Sequence, residues 1–284
     1  MELIDTHLHV IDMGKLHYPW LANVEALHRD NLLNHWQQQA KRVGITAALH
    51  MEVDVAEADI EAETTMVESF MTAPGALVLG AISSCRPEKA DFPTFLERAK
   101  AHPAIKGLRR VLHVMPDELS QQRQFRENIR RLGKANLPFD LCVLPRQLPL
   151  AAALVDLAPD VQFVLDHCGV PDIKAKAYIP WATGISEISK RSNVAVKISG
   201  VSAYADADTW EVNDLRPYVE HCIASFGWNR VVWGSDWPVV TLGSSLPLWV
   251  SATHALIAGA SLDEKTKLFS QNAKRIWKLE AKSI

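Results

Sequence analysis

Cysteine is scarce. Cys85, Cys142, Cys168 and Cys222 are the only four in 284 residues, and no two form a Cys-x-x-Cys pair. That excludes a small disulfide-stapled scaffold and sets the expectation of a reduced, cytoplasmic protein with buried thiols. Long apolar runs are missing too: none approaches the ~20 residues of a membrane-spanning helix. Residues 1–10 lack the basic start and apolar stretch of a signal peptide. Charge of one sign is not concentrated anywhere. The formal net charge is -3, and basic residues occur only in short pairs such as Arg109-Arg110 and Arg130-Arg131, so neither nucleic acid nor an anionic membrane is an expected partner. Two signatures are also absent. No Gly-x-Gly-x-x-Gly follows the first strand-like run, and no serine sits in a Gly-x-Ser-x-Gly elbow, which removes the usual dinucleotide site and the usual serine hydrolase.

What is present is an ordinary globular composition, 48% hydrophobic and 22% charged, with regular alternation along it. Strand-like runs fall near 2–7, 45–53, 76–83, 105–112, 138–143, 161–167, 194–200 and 230–235. Many are continuous in Val, Ile, Leu and Ala, as parallel strands buried on both faces are. Between them lie amphipathic helical stripes: Leu32, Leu33, Trp36, Ala40 and Val43, stopped at Gly44; Phe92, Phe95, Leu96 and Ala99; Phe125, Ile129 and Leu132; and, closing the chain, Phe269, Ala273, Ile276 and Trp277. Eight βα units with no break in composition predict one (β/α)8 TIM barrel over residues 1–284 in the α/β class, with a doubly wound sheet as the alternative.

In a barrel, every strand delivers its C-terminal end to one mouth. Three runs end there in chemistry. Asp5-Thr6-His7-Leu8-His9 puts two imidazoles at i and i+2, and period two places Leu3, Asp5, His7 and His9 on one face. Asp166-His167-Cys168-Gly169 supplies a third imidazole, and Trp233-Gly234-Ser235-Asp236-Trp237-Pro238 presents a carboxylate on a turn. Singly, each is as consistent with an incidental His-x-His or a capping turn as with a site. Together they predict a cluster of His7, His9, His167 and Asp236. The chemistry left open is attack by water assisted by Asp236, with the histidines or a bound ion stabilising an oxyanion.

Around this cluster the reading is less sharp. His50, Glu52 and Asp54 share an alternation face, and Glu52 is placed to reach the mouth as a ligand or as the partner of an imidazole. Only one of Arg109 and Arg110 can face inward; Arg109 is expected to, as a fixed donor to a carboxylate or ring oxygen, with Arg110 in an ion pair on the outside. Lys197 is a further donor or a structural lysine. Two irregular stretches, 10–29 with Lys15, His17, Tyr18, Pro19 and Trp20, and 169–182 with Pro171, Tyr178, Pro180 and Trp181, would cap the mouth. With Trp237 they either wall a small ligand or pack only their own loops.

On these residues the chain resembles the amidohydrolase superfamily, within it the amidohydrolase-2 group that includes sugar-lactone hydrolases. The likeness rests on Ile4-Asp5-Thr6-His7-Leu8-His9, Tyr18-Pro19-Trp20, Glu52-Val53-Asp54-Val55, Gly107-Leu108-Arg109-Arg110-Val111-Leu112, Asp166-His167-Cys168-Gly169-Val170-Pro171, Lys197-Ile198-Ser199-Gly200, Gly234-Ser235-Asp236-Trp237-Pro238 and Asn272-Ala273-Lys274-Arg275-Ile276-Trp277. The resemblance implies a distorted barrel in which Asp236 is general base and then proton donor, and His7, His9 and His167 bind the carbonyl or one divalent ion. No bridging lysine follows strand four and no histidine ends strand five, so a two-metal centre is not expected. The implied cofactor is none, or one ion, zinc first, held among His7, His9, Glu52, His167 and Asp236. The implied reaction opens a small sugar lactone such as L-fucono- or L-rhamnonolactone in carbohydrate catabolism, with Trp20 and Trp237 stacking on the sugar and His17, Arg109 and Lys197 donating to it. The alternatives are a mononuclear decarboxylase of the same superfamily, a 2-pyrone-4,6-dicarboxylate-type lactonase and, third, a non-catalytic binding barrel. A homo-oligomeric state is left open.

Overall fold

The computed structural model describes residues 1–279. Eight parallel strands run in chain order: β1 Ile4–Leu8, β2 Ala47–Met51, β3 Val78–Ser84, β4 Ile105–Val111, β5 Phe139–Cys142, β6 Phe163–Leu165, β7 Val194–Ile198 and β8 Val231–Trp233. All eight fall inside the predicted runs or overshoot them by one residue. The first and last strands meet just past their ends. His9 N–H donates to the Trp237 carbonyl at 2.8 Å and Asp236 N–H to the His7 carbonyl at 2.8 Å, so the sheet rolls into a (β/α)8 barrel.

Helices α1 Leu33–Arg42, α2 Ile60–Thr72, α3 Phe92–Ala101, α4 Arg123–Ala135, α5 Leu148–Asp156, α6 Tyr178–Ile188, α7 Val212–Phe226 and α8 Leu246–Leu256 wrap the outside. Trp36 of α1, Phe92 of α3 and Phe125, Ile129 and Leu132 of α4 are fully covered in the core between helices and sheet, as their three- and four-residue spacing requires. The barrel's own interior is a second apolar cluster. Ile4, Leu49, Met51, Ile82, Val164, Ala195 and Val232 point into it from the strands, and Ala273, Ile276 and Trp277 of a further helix (α9, Asn272–Trp277) join it. That places α9 as a plug in the barrel floor, leaving the opposite end for chemistry.

β1 departs from strict alternation. With Ile4 inside, period two would turn His7 outward. The pairing of β1 with β2 shifts register between Asp5 and Leu8, and the irregularity re-aims the segment. Asp5 therefore does not share a face with the histidines. Its buried carboxylate accepts from Trp36 Nε1 of α1 at 3.2 Å, from His7 N–H at 3.1 Å and from Ser235 N–H at 2.8 Å. It pins the segment at His7 to the segment at Ser235.

The two irregular stretches have different fates. Residues 10–32 fold over the mouth with a small core of their own, in which Ile11, Leu16, Tyr18, Leu21 and Leu27 pack on Val53, Val55, Ile60 and Met66. In the second stretch Trp181 is fully buried on α6 and stacks against Tyr178 and Tyr218. It packs its own layer and walls nothing. Among the described residues no helix is long and apolar enough to cross a membrane.

Candidate active site

A cavity of about 290 Å³ opens at the C-terminal mouth, lined by His9, Trp20, Val53, Asp54, Arg109, Val111, His113, Val114, Cys142, His167, Tyr204, Asp236 and Val239. Its floor is built by the inward-facing residues just above the apolar plug. Strands β4 to β7 contribute Arg109, Asp140, Asp166 and Lys197, and β1 contributes His7; all are buried.

Asp236 is the centre of the arrangement. Oδ1 lies 3.4 Å from His9 Nε2 and 3.6 Å from His7 Nε2, and Oδ2 lies 3.8 Å from His167 Nδ1. Burial pushes this carboxyl up to about 6, with His167 and Arg109 only partly offsetting it. The imidazoles move the other way: burial holds His9 down at about 3, and lowers His167 and, more strongly, His7, where Lys197 adds its own charge. All three rings are thus neutral near neutrality. The backbone is strained at the same places. His167 has φ 53° and Asp236 φ 59°, a conformation that costs a non-glycine residue of order 1–3 kcal/mol and aims both side chains into the mouth.

His9 Nδ1 is 2.9 Å from the Met51 carbonyl. A carbonyl only accepts, so the proton sits on Nδ1 and Nε2 keeps a bare lone pair toward Asp236 Oδ1. Two facing acceptors require a proton or a cation between them. The donors of His7, His9 and Asp236 all lie within 4.8 Å of one another, as do those of His7, Asp166 and His167. The 3.4 and 3.6 Å spacings match the roughly 3.4 Å edge of a tetrahedron with ~2.0–2.1 Å metal bonds. His7 Nδ1 sits between Lys197 Nζ at 3.2 Å and Asp166 Oδ1 at 3.5 Å, and Asp166 can take the Nδ1 proton when Nε2 serves as a ligand. The set fits one divalent ion. Glu52 belongs to neither group: Oε1 accepts from Arg109 Nε at 2.7 Å and Oε2 from Asp54 N–H at 2.8 Å.

The floor is an alternating ionic layer. Lys197 Nζ binds Asp140 Oδ2 at 2.6 Å and Asp166 Oδ1 at 2.9 Å. Arg109 reaches Asp166 Oδ2 at 3.2 Å as well as Glu52. Burial opposes each charge, but the partners decide the outcome. Glu52 and Asp166 hold Arg109 cationic, and Lys197, His7 and Arg109 draw Asp166 well below the usual carboxylate range. Asp140 stays above that range because burial outweighs its bond to Lys197.

Arg109 lines the cavity, while Arg110 turns out and pairs with Glu88 at 2.9 Å. Trp20 lines the cavity too, its Nε1 held 2.8 Å from the Val53 carbonyl. Three expected substrate contacts lie elsewhere. Lys197 is wholly buried within the ionic layer. His17 is tied by its backbone to Asp59 and Ala56 in the cap. Trp237 is spent on the β8–β1 seam. His50 faces α2, not the mouth, with Nε2 3.0 Å from Glu63 Oε1, because Met51 takes the inward position. Residues that sequence reasoning passed over also surround the site. Asp140 was detectable as a lone charge in an apolar strand. Tyr204 and His113 carry no local signal, and Asp54 had only its shared alternation face with Glu52.

The profile of the amidohydrolase family matches residues 4–279. The chain belongs to that family. This amidohydrolase is 28% identical over 263 residues, 85% of its length and 84% of the relative's, to an L-fucono-1,5-lactonase of Burkholderia multivorans. An uncharacterised Sinorhizobium fredii protein, y4mH, is 25% identical over 297 residues, covering 98% of this chain and 99% of that one. Among solved structures, a Burkholderia multivorans amidohydrolase with bound zinc superposes with TM-score 0.88 at 23% identity over 99% of this chain and 100% of that one. A protein described as a 2-pyrone-4,6-dicarboxylic acid hydrolase from Pseudomonas putida does so with TM-score 0.77 at 22% identity over 99% and 98%. Family and relatives together make this a hydrolytic enzyme.

Proposed function

We propose that this amidohydrolase opens a small, polyhydroxylated sugar lactone, with deoxy-sugar lactones such as L-fucono- and L-rhamnonolactone first. The observation that carries the reading is Asp236: a cavity-facing carboxylate with a pKa raised to about 6, ringed by three neutral imidazoles. Such a group is a stronger base than an ordinary carboxylate yet still ionised near neutrality. Relatives named L-fucono-1,5-lactonase give the ester class. The cavity also suits a sugar better than an acid, since Arg109, the one cation among the described residues that line it, is already balanced by Glu52 and Asp166. Valines and Trp20 offer the apolar wall that a methyl group and a sugar face require.

Asp236 takes a proton from water as the oxygen attacks the lactone carbonyl. Arg109 and the Tyr204 phenol, which burial keeps protonated, donate to the oxyanion, as does His167 Nε2 when Ser199, 3.0 Å from Nδ1, donates to that nitrogen. The tetrahedral intermediate collapses, the ring C–O bond breaks, and Asp236 returns its proton to the leaving alkoxide. One divalent ion, zinc by its N,N,O donor set, would be held by His7, His9 and Asp236, and when bound it supplies Lewis-acid polarisation.

The deciding experiment is a panel assayed by proton release and by carbon dioxide release: fucono- and rhamnonolactone, a pyrone dicarboxylate and a hydroxylated benzoic acid. Highest kcat/KM on a sugar lactone is expected. Preference for the dicarboxylate, or carbon dioxide from the benzoate, would replace this reading with one of its alternatives.

A further inference from the structure

Resting on the sugar-lactone reading, we propose that Asp54 selects the substrate by accepting hydrogen bonds from neighbouring ring hydroxyls. Asp54 follows β2 and lines the cavity, its side chain one-third exposed. Its backbone is held at φ 46°, a left-handed conformation that a glycine would adopt without strain. Three contacts enforce it. Glu52 Oε2 captures the Asp54 N–H at 2.8 Å, Glu63 Oε1 captures the Val53 N–H at 2.8 Å, and Trp20 Nε1 holds the Val53 carbonyl at 2.8 Å. Fixing a strained residue this firmly aims its side chain at a functional cavity.

The carboxylate so presented makes one long ion pair and keeps its hydrogen-bond acceptor sites. Among the described residues neither oxygen accepts a hydrogen bond. The nearest cation, Arg86 Nη2, stands off at 3.7 Å, while Arg86 Nη1 is bound to Ser84 Oγ at 2.7 Å and the Cys85 carbonyl at 3.0 Å. Burial and then the Glu52 charge raise its pKa, so it gains from donors that would neutralise it. A carboxylate has about four acceptor sites and can bridge two adjacent hydroxyls. An anionic group placed there would meet two cavity carboxylates, Asp54 and Asp236, while Arg109, the one cation among the described residues that line the cavity, is already paired with Glu52 and Asp166.

The test uses Asp54→Asn, which keeps shape and tolerates positive φ, with Asp54→Gly as a second variant relieved of strain. For each, kcat/KM is measured on fucono- or rhamnonolactone and on unsubstituted δ-valerolactone. The ratio of the two should fall at least about tenfold, the scale of a lost charge-assisted hydrogen bond. An unchanged ratio overturns the proposal. Calorimetric binding of a polyhydroxylated δ-lactam, which is not hydrolysed, gives a readout independent of turnover: wild type should bind it about tenfold or more tightly than either variant. Equal affinity, or no binding by wild type, sinks the role of Asp54. Lactam binding with no lactone opened sinks only the lactonase reading.

Discussion

His9 Nε2 and Asp236 Oδ1 lie 3.4 Å apart although 227 residues separate them in the chain. Each is an acceptor in its resting form, so a proton or a cation must lie between them.

Asp236→Asn should lose about 10²–10⁴-fold in kcat, the range expected for a general base. In metal-free protein it should also gain stability. A carboxyl raised from 3.8 to about 6 binds its proton more tightly folded than unfolded, so ionised Asp236 destabilises the fold above the unfolded pKa, by up to about 3 kcal/mol at neutral pH. Thermal unfolding at pH 7 should show a higher Tm for the variant. A lower one would mean that the carboxylate is structural.

The pH profile should have one acid limb. Only ionised Asp236 can take the proton, so kcat/KM should rise with pH to a midpoint within about one unit of 6 and then level off, because His9 and His167 are already neutral there. A profile flat down to pH 4.5 in chelated enzyme contradicts the assignment. Loading one zinc ion should move the limb to lower pH, since a cation favours the carboxylate. Elemental analysis should find no more than one ion per chain; two required ions would refute the single-ion site.

Gly200→Ala should abolish activity. The glycine sits at φ +68°, and an added Cβ would fall 2.7 Å from His167 Nδ1 and 2.8 Å from Asp236 Oδ2. Both groups would be driven off position, and errors of about 1 Å cost ~10²-fold in turnover. Retained activity with an unmoved Tm would show that the two side chains need not meet there.

Lys197→Met should destabilise by about 3–5 kcal/mol at pH 7, because Asp140 and Asp166 would be left buried without their cation. The deficit must shrink as pH falls toward 4, where protonation removes the unpaired charges; denaturant unfolding at both pH values checks this. An equal loss at both would mean that Lys197 contributes packing alone, including its place 5.4 Å over the Trp277 ring.

The barrel was legible because parallel strands and amphipathic helices announce themselves by period, and the strand ends named His7, His9, His167 and Asp236 directly. Errors arose where alternation was carried past a strand's end or through an irregularity. Asp5 and His50 were assigned the wrong face for that reason, and Glu52, read as a ligand or as the partner of an imidazole, pairs with Arg109. Long-range contacts were invisible: nothing local to Lys197 says that two carboxylates bury it, and nothing local to Tyr204 says that a loop brings it to the cavity.

The seam between β8 and β1 has a consequence for synthesis. Because His7 and Asp236 exchange backbone contact across it, the His7–His9 pair waits, without Asp236, until the long segment between them has been made. No nascent chain that stops short of Asp236 can bring His7, His9 and Asp236 together. Two fragments divided in an exposed outer loop would each be inert, and mixing them would restore the reaction only as fast as the seam re-forms.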